Sequence, residues 1–244
     1  MDSGVLLKQG LEILCKNDSE AESLLINRGT NCLTPCKEKI SLLDRYIKEI
    51  ELFNPAYGLV GVTDTNELII KHILDSLAPA GIILRLLRGK TSAASSNEEL
   101  HQYNIADAGS GAGLPGIPLA IAMNNCKFTL IERMGRRAGF LLNTKAVLAL
   151  SNVTIEESEL EKVKKEQFDL ITFRAFKPLE PKLLKTLFKV CVPGGIIAAY
   201  KGRREKIDEE MIQLEKNKDW HWELIPYNVP FLDEERHLLI IKVK

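Results

Sequence analysis

No stretch of this chain approaches the roughly 20 consecutive apolar residues that a membrane span needs, which argues against a helical membrane protein. The N-terminus carries Asp2 and no basic segment, so it predicts no secretory signal. Cysteines are few and unordered: Cys15, Cys32, Cys36, Cys126 and Cys191. An odd number at irregular spacing makes no disulfide framework. Cys32 and Cys36 have no second His or Cys pair nearby to complete the four ligands of zinc. Reduced thiols in a cytoplasmic protein are expected, with no metal. Net charge is also missing, because 33 Lys and Arg balance 33 Asp and Glu. Global charge therefore does not mark a nucleic-acid binder, although the basic residues are clustered and a phosphate feels a local patch. There is no internal repeat and no long low-complexity segment.

What is present is an ordinary globular composition, 45% apolar and 27% charged over 244 residues. The first hundred residues read as helices. Apolar residues recur at helical spacing over Leu6 to Leu14 and over Lys39 to Phe53, with Ile40, Leu43, Ile47 and Ile50 on one face. Asp64 followed by Glu67 is a capping-box pattern that starts a helix from Asn66 to Leu77. A shorter helix is predicted over Ile82 to Arg88, followed by a small, polar, exposed loop. After His101 the pattern alternates. Short apolar runs at Ile105–Asp107, Phe128–Glu132, Val153–Glu156, Phe168–Phe173 and Ile196–Tyr200 read as strands. Helical stretches Leu114–Met123, Arg136–Leu150 and Pro181–Val190 separate them. That alternation means βαβ units on a parallel sheet. Trp220–Tyr227 and His237–Val243 follow each other across a turn, so at least one terminal strand is expected to be antiparallel. The division read from this is a helical extension with linker over 1–101 and an α/β domain over 102–244.

The densest signal is N-I-A-D-A-G-S-G-A-G-L-P-G-I-P-L-A-I-A, from Asn104 to Ala122. A strand ends in Asp107, turns on glycines 109, 111, 113 and 116, and runs into a helix. Glycines let the backbone turn tightly and approach a ligand, and the helix behind offers free N–H groups. Gly111 to Gly116 fits G-x-G-x-x-G, and Glu132 ends the next strand 19 residues after Gly113. A nicotinamide dehydrogenase shows both features. Against it, Asp107 would face a pyrophosphate unfavourably. A carboxylate there suits the sulfonium and amino-acid end of S-adenosylmethionine. The terminal strand pair also suits a methyltransferase sheet. A binding module that only senses a nucleotide is a third reading.

The segment D-A-G-S-G-A-G-L-P-G-I-P-L-A-I resembles the signature of the RsmG (GidB) family, bacterial methyltransferases of small-subunit ribosomal RNA. Other segments match the family in order: Phe53-Asn54 to Leu59-Val60, H-I-L-D-S-L from His72, R-A-F from Arg174, Tyr200-Lys201-Gly202 and Glu235 to Leu238. Together they cover about residues 40 to 244. Phe173 stands where the family usually has serine, Gly58 where it has asparagine and Phe53 where it has tryptophan.

The resemblance implies a seven-stranded, mostly parallel, doubly wound sheet of the class I S-adenosylmethionine-dependent type with an N-terminal helical extension. It implies methyl transfer to N7 of a guanine in 16S ribosomal RNA, the family target being guanine 527. The partner would be that RNA or the small ribosomal subunit. Carried over by position, Asp107, Gly109, Gly111 and Leu114 belong to the cofactor loop. Glu132 would take the ribose hydroxyls, while Leu160 and Glu161 would bracket adenine, with Glu157 and Glu159 as alternatives for the last contact. Arg174 ends the fourth strand, and ligands of open α/β sheets sit at the carboxyl ends of strands, so a cofactor or RNA contact is expected. His72 and Asp75 would help to build the substrate pocket. Guanine N7 already has an exposed lone pair, so no general base or other catalytic side chain is expected. RNA phosphates need cations. The candidates are Arg136 and Arg137 beside Arg133, then Lys201, Arg203 and Arg204 beside Lys206, and a third group of Arg85, Arg88 and Lys90.

Overall fold

The structure is a computed structural model that describes residues 2–26, 35–89, 102–176, 178–214 and 220–242. Its centre is a seven-stranded sheet in the order β3-β2-β1-β4-β5-β7-β6. The strands are β1 (Asn104–Ala108), β2 (Lys127–Ile131), β3 (Val153–Glu156), β4 (Phe168–Arg174), β5 (Cys191–Lys201), β6 (His221–Pro226) and β7 (His237–Lys242). The first five pair in parallel, and β7 runs antiparallel between β5 and β6. The expected doubly wound sheet with an antiparallel end is therefore present. No described helix is long and apolar enough to cross a membrane.

Side-chain alternation assigns each strand two faces. Leu170, Ile196, Ala198, Tyr200, Leu238 and Ile240 enter one core. Their neighbours Ile171, Phe173, Ile197, Ala199, Leu239 and Ile241 enter the other. Helices α9 (Pro181–Val190) and α10 (Arg204–Leu214) bury their apolar sides in the second core. The first core takes α7 (Gly116–Ala122), α8 (Gly135–Val147) and the described helices of the N-terminal extension. The expected boundary near residue 101 falls in 90–101, outside the described residues, as does Cys32. The extension shares one apolar core with the sheet.

The extension comprises α1 (Ser3–Asn17), α2 (Ser19–Leu25), α3 (Lys37–Tyr57), α4 (Thr65–Leu68), a π-helical run Ile69–Leu74, α5 (Asp75–Leu77) and α6 (Ala80–Arg88). Asp64 caps α4, accepting from the Glu67 N–H at 2.8 Å as the capping-box pattern predicts. The single helix expected from Asn66 to Leu77 is in fact interrupted by that π run. Gly58, at φ +58°, ends α3 in the left-handed conformation. Two further helices depart from the reading of the sequence. Asp18 caps the short α2, accepting from Glu20 N–H at 2.9 Å. Residues Arg204–Leu214, which carry no helix or strand in the sequence reading, form α10.

Candidate functional site

The strand order reverses direction at β1, whose neighbours are β2 and β4. Crossovers leave to opposite sides there, so the carboxyl ends of β1 and β4 open a crevice. The glycine turn sits at that point. Gly109 has φ +69° and lies so close to the Phe176 ring that a Cβ would fall 2.0 Å from Cδ2. Gly111 has φ +57°, and a Cβ on it would meet nothing nearer than the Gly109 carbonyl at 3.9 Å. The turn is thus packed at one glycine and open at the next.

Backbone and carboxylate bonds lash the turn to β2. The Ile131 carbonyl accepts from Gly109 N–H at 2.9 Å and from Ser110 N–H at 3.1 Å. Glu132 is buried, not a solvated strand end. One carboxylate oxygen accepts from Gly111 N–H at 2.9 Å and the other from Met134 N–H at 2.8 Å. Each oxygen keeps a further lone pair for a ligand hydroxyl. From the extension, the Tyr46 hydroxyl donates to the Ala112 carbonyl at 2.7 Å.

Asp107 is fully buried beneath the turn. Its carboxylate accepts from the Gly116 N–H at 3.0 Å, at the start of α7. Burial pushes its pKa up to about 7. It therefore braces the turn from below and does not line the pocket. Leu114 is likewise buried in the first core.

The pocket itself encloses about 220 Å³ beside the turn. Gly109, Ile131, Leu160 and Phe176 give it apolar walls, while Arg133, Ser158, Glu159, Glu161 and Lys182 give it a polar mouth. Leu160 and Glu161 line it from a short 3-10 turn, Leu160–Lys162. Glu159 joins them, whereas Glu157 lies against Gly135, within 2.9 Å of where its Cβ would be. Ile131, Ser158, Phe176 and Lys182 were not singled out from the sequence. Phe176 belongs to the R-A-F motif, which was the available signal. The other three lie at the end of β2, in a loop and in the first turn of α9, and carry no local pattern.

Arg174 takes part in a different grouping. Its Nη1 donates to Asp75 Oδ2 at 2.9 Å and to the Lys71 carbonyl at 3.3 Å. Its Nη2 lies 2.9 Å from His72 Nδ1. Asp75 Oδ1 accepts from the Tyr227 hydroxyl at 3.1 Å and lies 3.4 Å from Arg236 Nε. The structure thus joins Arg174 to His72 and Asp75, 102 and 99 residues away in sequence.

The basic clusters separate. Arg85 grips Asp18 with two bonds at 2.7 and 2.9 Å, and Arg88 pairs with Glu20 at 2.6 Å. That cluster staples α6 to α2; Lys90 lies outside the described residues. Lys201 is paired with Glu210 at 2.5 Å, both side chains mostly buried. Arg203 and Arg204 are exposed beside a groove of about 920 Å³, whose other wall is Asp233 to Arg236. Arg136 is exposed over the Tyr57 ring, 5.7 Å from its centroid, and Arg137 is half-buried.

Residues 39–239 match the family described as GidB, rRNA small subunit methyltransferase G. The chain belongs to this family. A ribosomal RNA small subunit methyltransferase G from Treponema denticola is 43% identical over 217 residues, covering 82% of this chain and 85% of that protein. One from Yersinia pseudotuberculosis is 33% identical over 91% of this chain and 97% of its own. Solved structures share the fold at low identity. A Methanococcus maripaludis protein described as S-adenosyl-L-methionine-dependent has TM-score 0.55 at 14% identity, with 80% of this chain and 90% of that one covered. An Aquifex aeolicus methyltransferase has TM-score 0.51 at 15% identity, with 81% and 97% covered. GidB membership makes this chain an S-adenosylmethionine-dependent methyltransferase of the rRNA-modifying type. It removes the nicotinamide-dependent oxidoreductase reading and the non-catalytic sensor. The residues present fit the cofactor, since an apolar-walled pocket lies beside a glycine turn that is open at Gly111 and fastened by a buried carboxylate with spare lone pairs, Glu132.

Proposed function

We propose that this chain methylates N7 of a guanine in 16S ribosomal RNA, guanine 527 being the target that the family resemblance implies, and that it does so in the cytoplasm. The observation that carries this reading is the glycine turn at the β1/β4 switch point, fastened by Glu132 and opening on an apolar-walled pocket. Gly109 and Gly111 would pass close to the cofactor, Glu132 would accept its ribose hydroxyls, and Leu160 with Glu161 would flank its adenine. S-adenosylmethionine supplies an electrophilic methyl on a sulfonium centre.

Guanine N7 carries an in-plane lone pair, so no side chain has to remove a proton from it. The work left to the protein is alignment, which is worth several kcal/mol of barrier when reacting atoms are held in line. Arg174 cannot wander, because Asp75 and His72 hold both ends of its guanidinium. Arg136, Arg137, Arg203 and Arg204 are the cations we assign to RNA phosphates, whereas Lys201 is neutralised by Glu210 and holds the base of that loop. A mass-spectrometric map of small-subunit RNA from a deletion strain tests the reading. One N7-methylguanine should vanish and return with the wild-type gene. An unchanged map would refute it.

A further inference from the structure

The hydrogen bond between Arg174 and His72 fixes which tautomer the imidazole adopts. A guanidinium has five N–H donors and no acceptor. With Arg174 Nη2 2.9 Å from His72 Nδ1, that nitrogen must present its lone pair. The imidazole is therefore neutral, and its proton is on Nε2. Burial, then Arg174, Lys71 and Arg236, push its pKa down to about 4, consistent with that form. Asp75 fixes the guanidinium in turn, its buried carboxylate held by Arg174, Tyr227 and Arg236. Among the described residues no group bonds Nε2. The ring is half-buried, on the π-helical run, at the edge where β4 ends beside the switch point. Such π turns recur at functional sites.

We propose that His72 donates from Nε2–H to O6 of the target guanine, with Asp75 as the positioning residue that sets this donor through Arg174. The proposal rests on the reading above that N7 of a guanine receives the methyl. N7 and O6 lie side by side on one edge of guanine, and both are acceptors. Adenine has an N–H₂ donor in place of O6, so a fixed donor at that position admits guanine and repels adenine. A neutral donor also suits the reaction. N7 methylation leaves the base cationic, and a protonated imidazole beside it would oppose that charge.

The test compares RNA carrying the target guanine with the same RNA carrying 2-aminopurine, which keeps N7 and lacks O6. Wild-type enzyme should favour guanine by about tenfold or more in kcat/KM, the scale of one lost hydrogen bond at a formed site. His72→Phe should lower transfer to guanine by a similar factor and erase the preference. His72→Gln, which restores an acceptor for Arg174 and a donor for O6, should recover most of it. Asp75→Asn should weaken the preference while S-adenosylmethionine affinity by calorimetry is unchanged, a split that a merely structural role would not give. If His72→Phe and Asp75→Asn, folded by their melting curves, discriminate as wild type does, the proposal is overturned. If wild type places no methyl on N7 at all, the underlying functional reading fails instead, so the two failures are distinguishable.

Discussion

Gly109→Ala puts one methyl at the tightest point of the glycine turn. Two costs add. The backbone is at φ +69°, where an L-residue loses about 1 kcal/mol relative to glycine. The new Cβ would also fall 2.0 Å from Phe176 Cδ2 and 2.5 Å from Cε2, so the ring must leave. Phe176 pairs edge-on with Phe173 at 6.3 Å between centroids. Losing such a pair costs about 0.5–1.5 kcal/mol beyond area burial. The sum is about 2 kcal/mol of stability. Phe176→Ala removes the clash but leaves the strained φ, so Gly109→Ala in that background should cost only about 1 kcal/mol. The assay is urea denaturation of the four proteins of the cycle, with calorimetric titration of S-adenosylmethionine on each. Coupling of about 1 kcal/mol is expected. Cofactor affinity should fall tenfold or more in both proteins that carry Gly109→Ala, because the strained φ distorts the turn at a residue that lines the pocket. Additive stabilities within about 0.3–0.5 kcal/mol would show that the two residues do not touch as described. Unchanged cofactor affinity in both of those proteins would remove the turn from the cofactor site.

Three further outcomes follow from the same geometry. Glu132→Ala should weaken S-adenosylmethionine binding by about 1–3 kcal/mol, since it removes a charged acceptor and frees the Gly111 and Met134 N–H groups; an unchanged dissociation constant in calorimetry would make Glu132 a purely structural clamp. Arg203→Ala with Arg204→Ala should leave cofactor binding intact, weaken RNA binding, and shrink the slope of log affinity against log salt by up to about two; an unchanged slope would move the RNA face elsewhere. The depressed pKa of His72 makes the unfolded state bind more protons, so its contribution to stability is present above about pH 6.5 and is lost as pH falls toward 4, by up to about 3 kcal/mol. Asp107, raised to about 7 by burial, gives the opposite slope between pH 4 and 7, so the His72 term is read as the difference between wild type and His72→Gln in denaturation across that range. A difference that does not change with pH would contradict the buried neutral imidazole.

The sequence made the sheet and the glycine turn readable because their signals are local. Strand and helix periodicities alternate after His101, and Asp107, the glycines and Glu132 lie within 26 residues of one another. The ion-pair partners were not readable. Arg85 and Arg88 look like a phosphate patch in one dimension, and only tertiary packing places Asp18 and Glu20 against them. Arg174 and Asp75 are 99 positions apart, and nothing local in either segment announces the other. The π run hid because its residues, I-I-K-H-I-L, keep ordinary helical composition. Helix α10 hid because Gly202-Arg203 offers no Ser, Thr, Asp or Asn cap before Arg204. The backbone bonds that Glu132 and Asp107 make to the turn were hidden for a related reason. A carboxylate at a strand end reads as solvated until the backbone N–H groups that bond it are in place.

The most direct measurement is methyl transfer from labelled S-adenosylmethionine to two otherwise identical small-subunit RNA substrates, one with guanine and one with 7-deazaguanine at the target position. Replacing N7 by C–H removes the lone pair and leaves the Watson–Crick edge unchanged. The expected result is one methyl per RNA on the guanine substrate and none on the 7-deaza substrate, with both RNAs bound equally. Transfer that persists on 7-deazaguanine would place the methyl on another atom and contradict the account.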